Sequence, residues 1–281
     1  SFQSMIRGYS ILLVPFILII LQNDMGTALV FTSLILVFYR EGLSGNVLIV
    51  GLAVFSLILF SLIIPPWIVA IIFTSLIFVI YSFRSSRTRS IKISSIIAII
   101  SIGIIFSTDY LYNNLLASHQ QERINIFIGK DFDPQNAGYN LIQSKIAVGS
   151  GGFLGKGFLN GTQTRFDFVP EQSTDFIFCS WAEEWGFLGG LLFIIVYIAT
   201  LIRIVMLAER QRSKFTRIFG YCVASILFFH FMINIGMVTG LAPVIGIPLP
   251  FFSKGGSAVL TFSLLIFILL RLDAERKVVL R

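Results

Sequence analysis

The sequence predicts an all-α polytopic integral membrane bundle of about eight transmembrane helices, with one large extracytoplasmic loop. Three observations predict it. Mean hydropathy is +0.89, and 56% of the residues are hydrophobic against 12% charged, where a soluble domain carries about 25% charge. Several apolar runs approach the ~20 residues that cross a bilayer. The basic residues behind the net charge of +7 collect in short connections between those runs, as cytoplasmic loops do, so the charge is no sign of nucleic-acid binding. The abundant Phe residues are spread through the apolar runs as lipid-facing or packing surface. Cys179 and Cys222 also fall in such runs, without disulfide or metal spacing.

The elements follow in order. Residues 5–21 make a first helix, between Arg7 and Gln22-Asn23-Asp24, and residues 25–39 a second, closed by Arg40-Glu41-Gly42. Asp24 reads as the cap of that second helix. Residues 46–64 and 66–83 make two more, joined at Pro65-Pro66, a joint that must lie at a surface because proline cannot continue the helix behind it. The basic cluster Arg84, Arg87, Arg89 and Lys92 precedes a fifth span over about 93–113, so residues 1–113 hold helices one to five. Residues 114–174 are polar and rich in Gly and Asn, too long for a plain connector. A sixth helix runs from about 175 to 207, a seventh over 218–238 and an eighth over 258–270. Residues 175–281 therefore hold helices six to eight. The chain starts at Ser1 without a cleavable signal peptide, and its natural N-terminus is expected upstream.

Parity orients this map. With the basic clusters around 84–92, 203–217 and 271–281 inside, Arg7 and Arg40-Glu41 also fall inside and the C-terminus is cytoplasmic. Asp24, Pro65-Pro66, the long loop and the Pro- and Gly-rich connection 239–257 fall outside. Chemistry on that side has no nucleoside triphosphate and calls for an activated substrate already in the membrane.

The polar residues carry the chemistry. Asp175 heads the run Asp-Phe-Ile-Phe. A carboxylate at a membrane boundary is partly desolvated and suits a general base; it equally suits a helix N-cap. Glu171 lies near the same mouth or is simply solvated. Lys145, in Gln143-Ser144-Lys145, meets a phosphate or snorkels to headgroups. Glu183 and Glu184, two turns into the sixth helix, are costly within a membrane and default to function, unless those turns lie above the hydrocarbon and form a structural ion pair. Gly149-Ser150-Gly151-Gly152 and Gly155-Lys156-Gly157 offer backbone N–H groups to a pyrophosphate, or are tight turns; they lack the Walker pattern. His119 and His230 have no triad or metal partners in the sequence.

These motifs resemble the bacterial SEDS family (shape, elongation, division and sporulation). Gln22-Asn23-Asp24-Met25-Gly26-Thr27-Ala28, Pro170 to Phe178, and Asn234 to Ser257 carry the resemblance, and Gly155-Lys156-Gly157 with Asn160-Gly161-Thr162-Gln163 is similar to the elongation branch. Asn23 stands where the family usually has proline, and Lys254 where it often has tyrosine. The family's early Pro-Ser-Glu-Phe-Ala-Lys helix is absent, and about ten spans are usual against eight here, so an N-terminal part is expected to be missing. The resemblance implies a peptidoglycan glycosyltransferase of the bacterial inner membrane that polymerises lipid II with a class B penicillin-binding protein. Asp175 falls on the essential loop Asp and would act as base. Lys145, Lys156 or a divalent cation (Mg or Mn) would steady the pyrophosphate, with Gln143, Ser144 and Glu171 as further substrate contacts. A lipid II flippase and a non-catalytic scaffold are the rival readings; a polymerisation assay separates them.

Overall fold

The computed structural model describes residues 2–82, 87–130, 137–166 and 168–276; Arg84, Lys277 and Arg281 of the basic clusters lie outside them. Twelve helices are described: α1 (Phe2–Leu21), α2 (Met25–Thr32), α3 (Ile35–Arg40), α4 (Gly45–Ile63), α5 (Pro66–Ser82), α6 (Arg87–Asn114), α7 (Ser118–Ile128), α8 (Ala137–Ser150), α9 (Thr162–Arg165), α10 (Ile177–Glu209), α11 (Lys214–Thr239) and α12 (Gly256–Glu275). Five helices or helix segments are long and apolar enough to cross a membrane: Gly45–Ile63, Ile91–Asn114, Ile177–Glu209, Lys214–Thr239 and Gly256–Glu275. Three shorter apolar segments, Ile11–Leu21, Met25–Arg40 and Pro66–Ile80, fall at the remaining expected positions.

The chain forms two compact units. Residues 43–131 make one, in which α4 and α5 pack on α6. Leu57, Val69 and Ile105 form its buried centre. Pro66 opens α5, where its missing N–H is one no helix could use.

The other unit, residues 1–42 with 132–281, is organised by α11, which touches α2, α3, α8, α10 and α12. Half of the apolar window of α11 is buried, more than in any other spanning segment described. The second predicted helix is broken at Ser33–Leu34 into α2 and α3. The Ser225 hydroxyl on α11 donates to the Ser33 carbonyl at 3.1 Å, entering the ladder from outside. Asp24 does cap α2, accepting from Thr27 N at 2.9 Å and from the Thr27 hydroxyl at 2.6 Å.

The polar stretch after residue 113 is not a plain loop. It holds α7, α8 and α9, and α8 lies against α10 and α11 with Leu141, Ser144 and Ala147 buried at helical spacing. The two ends of α11 also differ in character. Near its start, Arg40 pairs with Glu209 at 2.8 Å, Arg217 with Glu41 at 2.9 Å, and Arg210 with Asp273. Near its finish lie Asp175, the connection 240–255 and Gly26 of α2, beside Ile245 and Ile247.

Candidate active site

Asp175 stands in the turn 170–176 that leads into α10 and is half-buried. The N-cap of α10 is Phe176, without a side-chain cap bond, so Asp175 does not cap that helix. The turn closes on itself: Thr174 N and Phe176 N donate to the Glu171 carbonyl at 3.1 and 3.2 Å, and Glu171 takes the left-handed φ of 55°. Phe176 is 2% exposed and belongs to the core cluster with Ala147, Phe178, Met237 and Leu249. Burying such a ring stabilises by about 1.5–3 kcal/mol, which anchors the turn from below.

Two distant side chains fix it from the flank. Asn234, fully buried on α11, donates through Nδ2 to the carbonyls of Asp175 at 2.8 Å and Ile247 at 2.7 Å. The Ser253 hydroxyl donates to the Thr174 carbonyl and accepts from Leu249 N at 2.7 Å, while Lys254 N donates to the Ser173 carbonyl at 2.8 Å. The connection after α11 is thereby laced to the Asp175 turn. Asp175 Oδ2 lies against Gly246, where a Cβ would sit 3.2 Å away.

Lys145 reaches the same end of α11. Its side chain runs over Gly240, the left-handed C-cap of α11 (φ 79°), where a Cβ would come within 2.2 Å of Lys145 Cε. The left-handed backbone favours glycine there, and the absence of a side chain gives Lys145 room to pass. Residues next to one another on a helix point about 100° apart, so Gln143, Ser144 and Lys145 leave α8 in three directions. Ser144 is buried, its hydroxyl at 2.9 Å from the Leu141 carbonyl and 3.0 Å from the Val238 carbonyl. It joins α8 to α11. Gln143 is half-buried and Lys145 exposed.

Glu183 is held differently. It is wholly buried. Its Oε1 accepts from Lys156 Nζ at 2.7 Å, Thr162 N at 2.8 Å and Gln163 N at 3.0 Å; its Oε2 accepts from Thr164 N at 3.1 Å and the Thr164 hydroxyl at 3.0 Å. Lys156 also donates to the hydroxyls of Ser150 at 2.8 Å and Thr162 at 2.6 Å, which occupies all three ammonium hydrogens within the protein. Nearby, α10 is broken at Gly186 (φ 63°, ψ −162°). The segment 151–157 docks on the break: Lys156 N and Gly157 N donate to the carbonyls of Glu183 and Glu184 at 3.1 and 2.9 Å, and Phe187 N and Leu188 N donate to those of Gly152 and Phe153 at 2.9 and 3.2 Å. A Cβ at Gly155 would meet the Glu184 carbonyl oxygen at 2.1 Å. The glycine-rich run is a strap on a broken helix, and its N–H groups from 155 to 157 are occupied.

A family profile described as "Cell cycle protein", FtsW/RodA/SpoVE, matches residues 66–278. The chain belongs to the FtsW/RodA/SpoVE family. It is 42% identical over 163 residues to the peptidoglycan glycosyltransferase MrdB of Escherichia coli K12, covering 58% of this chain and 44% of that protein. To the peptidoglycan glycosyltransferase RodA of Treponema pallidum it is 30% identical over 289 residues, covering 95% of this chain and 67% of that one. A chain from the solved structure described as "Structural coordination of polymerization and crosslinking by a peptidoglycan synthase complex" superposes with a TM-score of 0.63 at 25% identity, over 92% of this chain and 58% of the other. The chain spans about half the length of the first curated relatives it matches. Family membership and the apolar helices make it a multi-pass protein of the bacterial inner membrane.

Of the residues singled out in this FtsW/RodA/SpoVE chain, the structure brings Asp175 and Lys145 to one end of α11 and sets Glu171 in the Asp175 turn, its carboxylate accepting from the Thr174 hydroxyl at 2.9 Å. It turns Lys156 and Ser144 inward. Asn234 and Ser253 were missed as individual residues, though a buried amide in an apolar helix and a serine after Pro-Leu-Pro-Phe-Phe are visible in the sequence. Among the described residues no three His, Cys, Asp or Glu side chains come together as a metal cage. Asp175 and Glu171 share one turn, and two carboxylates are fewer than the six ligands a Mg-like ion takes. An apolar groove of about 700 Å³ between α10 and α11, lined by Ile198, Leu201, Val205 and Phe228, runs toward Arg210, at the end of the unit away from Asp175.

Proposed function

We propose that this chain is the polymerising part of a peptidoglycan glycosyltransferase of cell-wall elongation, acting on lipid II at the outer face of the inner membrane. The observation that carries the reading is the Asp175 turn: a carboxylate held in place through main-chain atoms by Asn234 and Ser253, with Lys145 beside the same helix end. The curated relatives named peptidoglycan glycosyltransferase support it. In this reading Asp175 takes the proton from the acceptor 4-hydroxyl. The resulting oxygen bonds to the anomeric carbon of the donor sugar as the bond to the pyrophosphate oxygen breaks, with inversion. Lys145 offsets charge on the departing undecaprenyl pyrophosphate. Pyrophosphate needs no general acid once that charge is offset. Asp175 and Glu171 would be the residues to hold a divalent cation, which would supply Lewis acidity. Lys156 and Ser144, turned inward, take no part. The partner is a class B penicillin-binding protein, in keeping with the synthase complex that supplies the structural neighbour.

The test is glycan-strand formation from labelled lipid II by the full-length protein with its partner. Strands from the parent and none from Asp175→Asn at equal melting temperature support the reading. A parent that moves lipid II across vesicles without forming strands sinks it.

A further inference from the structure

The strap on the broken helix sorts its side chains in an unusual way. Lys156, the one charged residue from 151 to 159, turns inward to Glu183 at 2.7 Å. Phe153, Leu154 and, just past the strap, Phe158 are left outside, at 63, 75 and 66% exposure. Apolar residues scattered singly over a surface are normal, whereas a contiguous patch marks an interaction surface. This patch is contiguous. The Phe153 ring stacks on Phe187 with centroids 5.8 Å apart, and Phe158 lies 6.5 Å from Trp185. Both of those α10 rings are themselves exposed.

What the patch continues into identifies what covers it. Past the break at Gly186, Phe187, Leu188, Leu191, Leu192 and Ile195 are all exposed and share one broad stripe of α10. The segment that carries this stripe is long and apolar enough to cross a membrane, so the stripe faces acyl chains. Through the stacked pair Phe153–Phe187 the strap prolongs that lipid-facing wall. Aromatic and leucine side chains at the end of a span, with the nearby charge withdrawn, suit the boundary between acyl chains and headgroups.

We propose that the strap is an interfacial membrane anchor, with Phe153, Leu154 and Phe158 inserted into the lipid leaflet at that end of α10. Lys156 stays with the protein. Lys156 N and Gly157 N bond to the carbonyls of Glu183 and Glu184, so lipid that holds the strap at one depth holds the break in α10 there too. The anchor is independent of the reaction assigned to Asp175.

The experiment attaches single nitroxide spin labels to Phe153→Cys, Leu154→Cys and Phe158→Cys of the full-length protein in a cysteine-free background. The protein is reconstituted alone into phosphatidylethanolamine–phosphatidylglycerol vesicles. Collisions with oxygen, which concentrates in the bilayer, and with a nickel chelate, which stays in water, give each label its depth. Leu192→Cys on the span and Asn160→Cys, at an exposed polar position, are the references. The three strap labels meet oxygen more than nickel and lie about 5–10 Å below the lipid phosphates, while the label at 160 reports water. Where a label at 153 or 158 lowers the melting temperature, since both rings contact α10, Leu154→Cys makes the comparison alone. Nickel access at the strap equal to that at 160 overturns the anchor. So does protection from both reagents, which marks packing against protein. Protection from nickel that appears only when the class B penicillin-binding protein is added makes the patch a protein contact and overturns it equally.

Discussion

Glu183 and Asp175 lie eight residues apart at the head of α10, and the protein treats these two carboxylates in opposite ways. Glu183 is enclosed, with both oxygens receiving hydrogen bonds from amides, hydroxyls and an ammonium group. Asp175 is gripped by its own carbonyl, through Asn234, while its side chain stays half-exposed against Gly246. Fastening a residue by its main chain sets its position independently of what its side chain binds. Fastening it by its side chain turns an acid into a structural bolt. In the sequence Asp175 reads as base or cap and Glu183 as functional or a structural ion pair; the partners decide between those readings.

Substitutions sharpen this contrast. Asp175→Asn keeps the shape and leaves the Asn234 bond intact. Polymerisation should fall roughly 10²–10⁴-fold, the usual contribution of a general base, with thermal unfolding in detergent unchanged. Parental strand formation by this variant would erase the difference between the two acids.

Glu183→Ala should do the reverse, unfolding the chain at a lower denaturant concentration by roughly 3–5 kcal/mol, because it strands Lys156 and three amides in a buried place. Lys156→Met should cost less, since those amides keep their acceptor. Equal losses in the two variants would mean that the ion pair alone, and not the amide cage, holds the strap.

Asn234→Ala tests the main-chain grip. It leaves the carbonyls of Asp175 and Ile247 without this donor, which should cost about 1–3 kcal/mol. Strand formation should drop further than the melting temperature explains, since the turn loses its position. Ser253→Ala removes one bond to the same turn and should cost about 1 kcal/mol, with a rate change below threefold. The smallest effect is a labelling one. A cysteine at exposed Asn160, in a Cys179→Ser/Cys222→Ser background, should react with an impermeant thiol reagent in intact cells while leaving activity unchanged. Reaction only after permeabilisation would invert the map.

Hydropathy made the helices legible, because each apolar run is long and the Pro65-Pro66 joint and Asp24 cap are local signals. The break at Ser33 was not legible, since its cause is a hydroxyl almost two hundred positions away on another helix. The apolar-flanked stretch Leu141 to Val148 already read as helical, and the structure extends it to Ala137–Ser150. At the site, Asp175 and Lys145 announced themselves as charges in apolar surroundings. The glycine run could not be assigned, because a strap on a broken helix and a phosphate cradle use the same residue for the same close approach. Only the tertiary partner, the opened ladder at Gly186, decides between them.

That opening also sets where the lipid begins. An unbroken α10 of 33 residues would be about 50 Å long, far beyond the ~30 Å of a hydrocarbon core. From Phe187 to Glu209 the helix measures roughly 34 Å, which matches that thickness with slight tilt. The break therefore works as a waterline. After it α10 is long enough for a membrane span, and before it the same helix carries Glu183 and Glu184 against the strap. The two glutamates escape the cost of hydrocarbon because the span starts after them. Gly186→Ala, whose Cβ would meet Gly155 N at 2.3 Å, would push the strap off the break and unsettle that boundary.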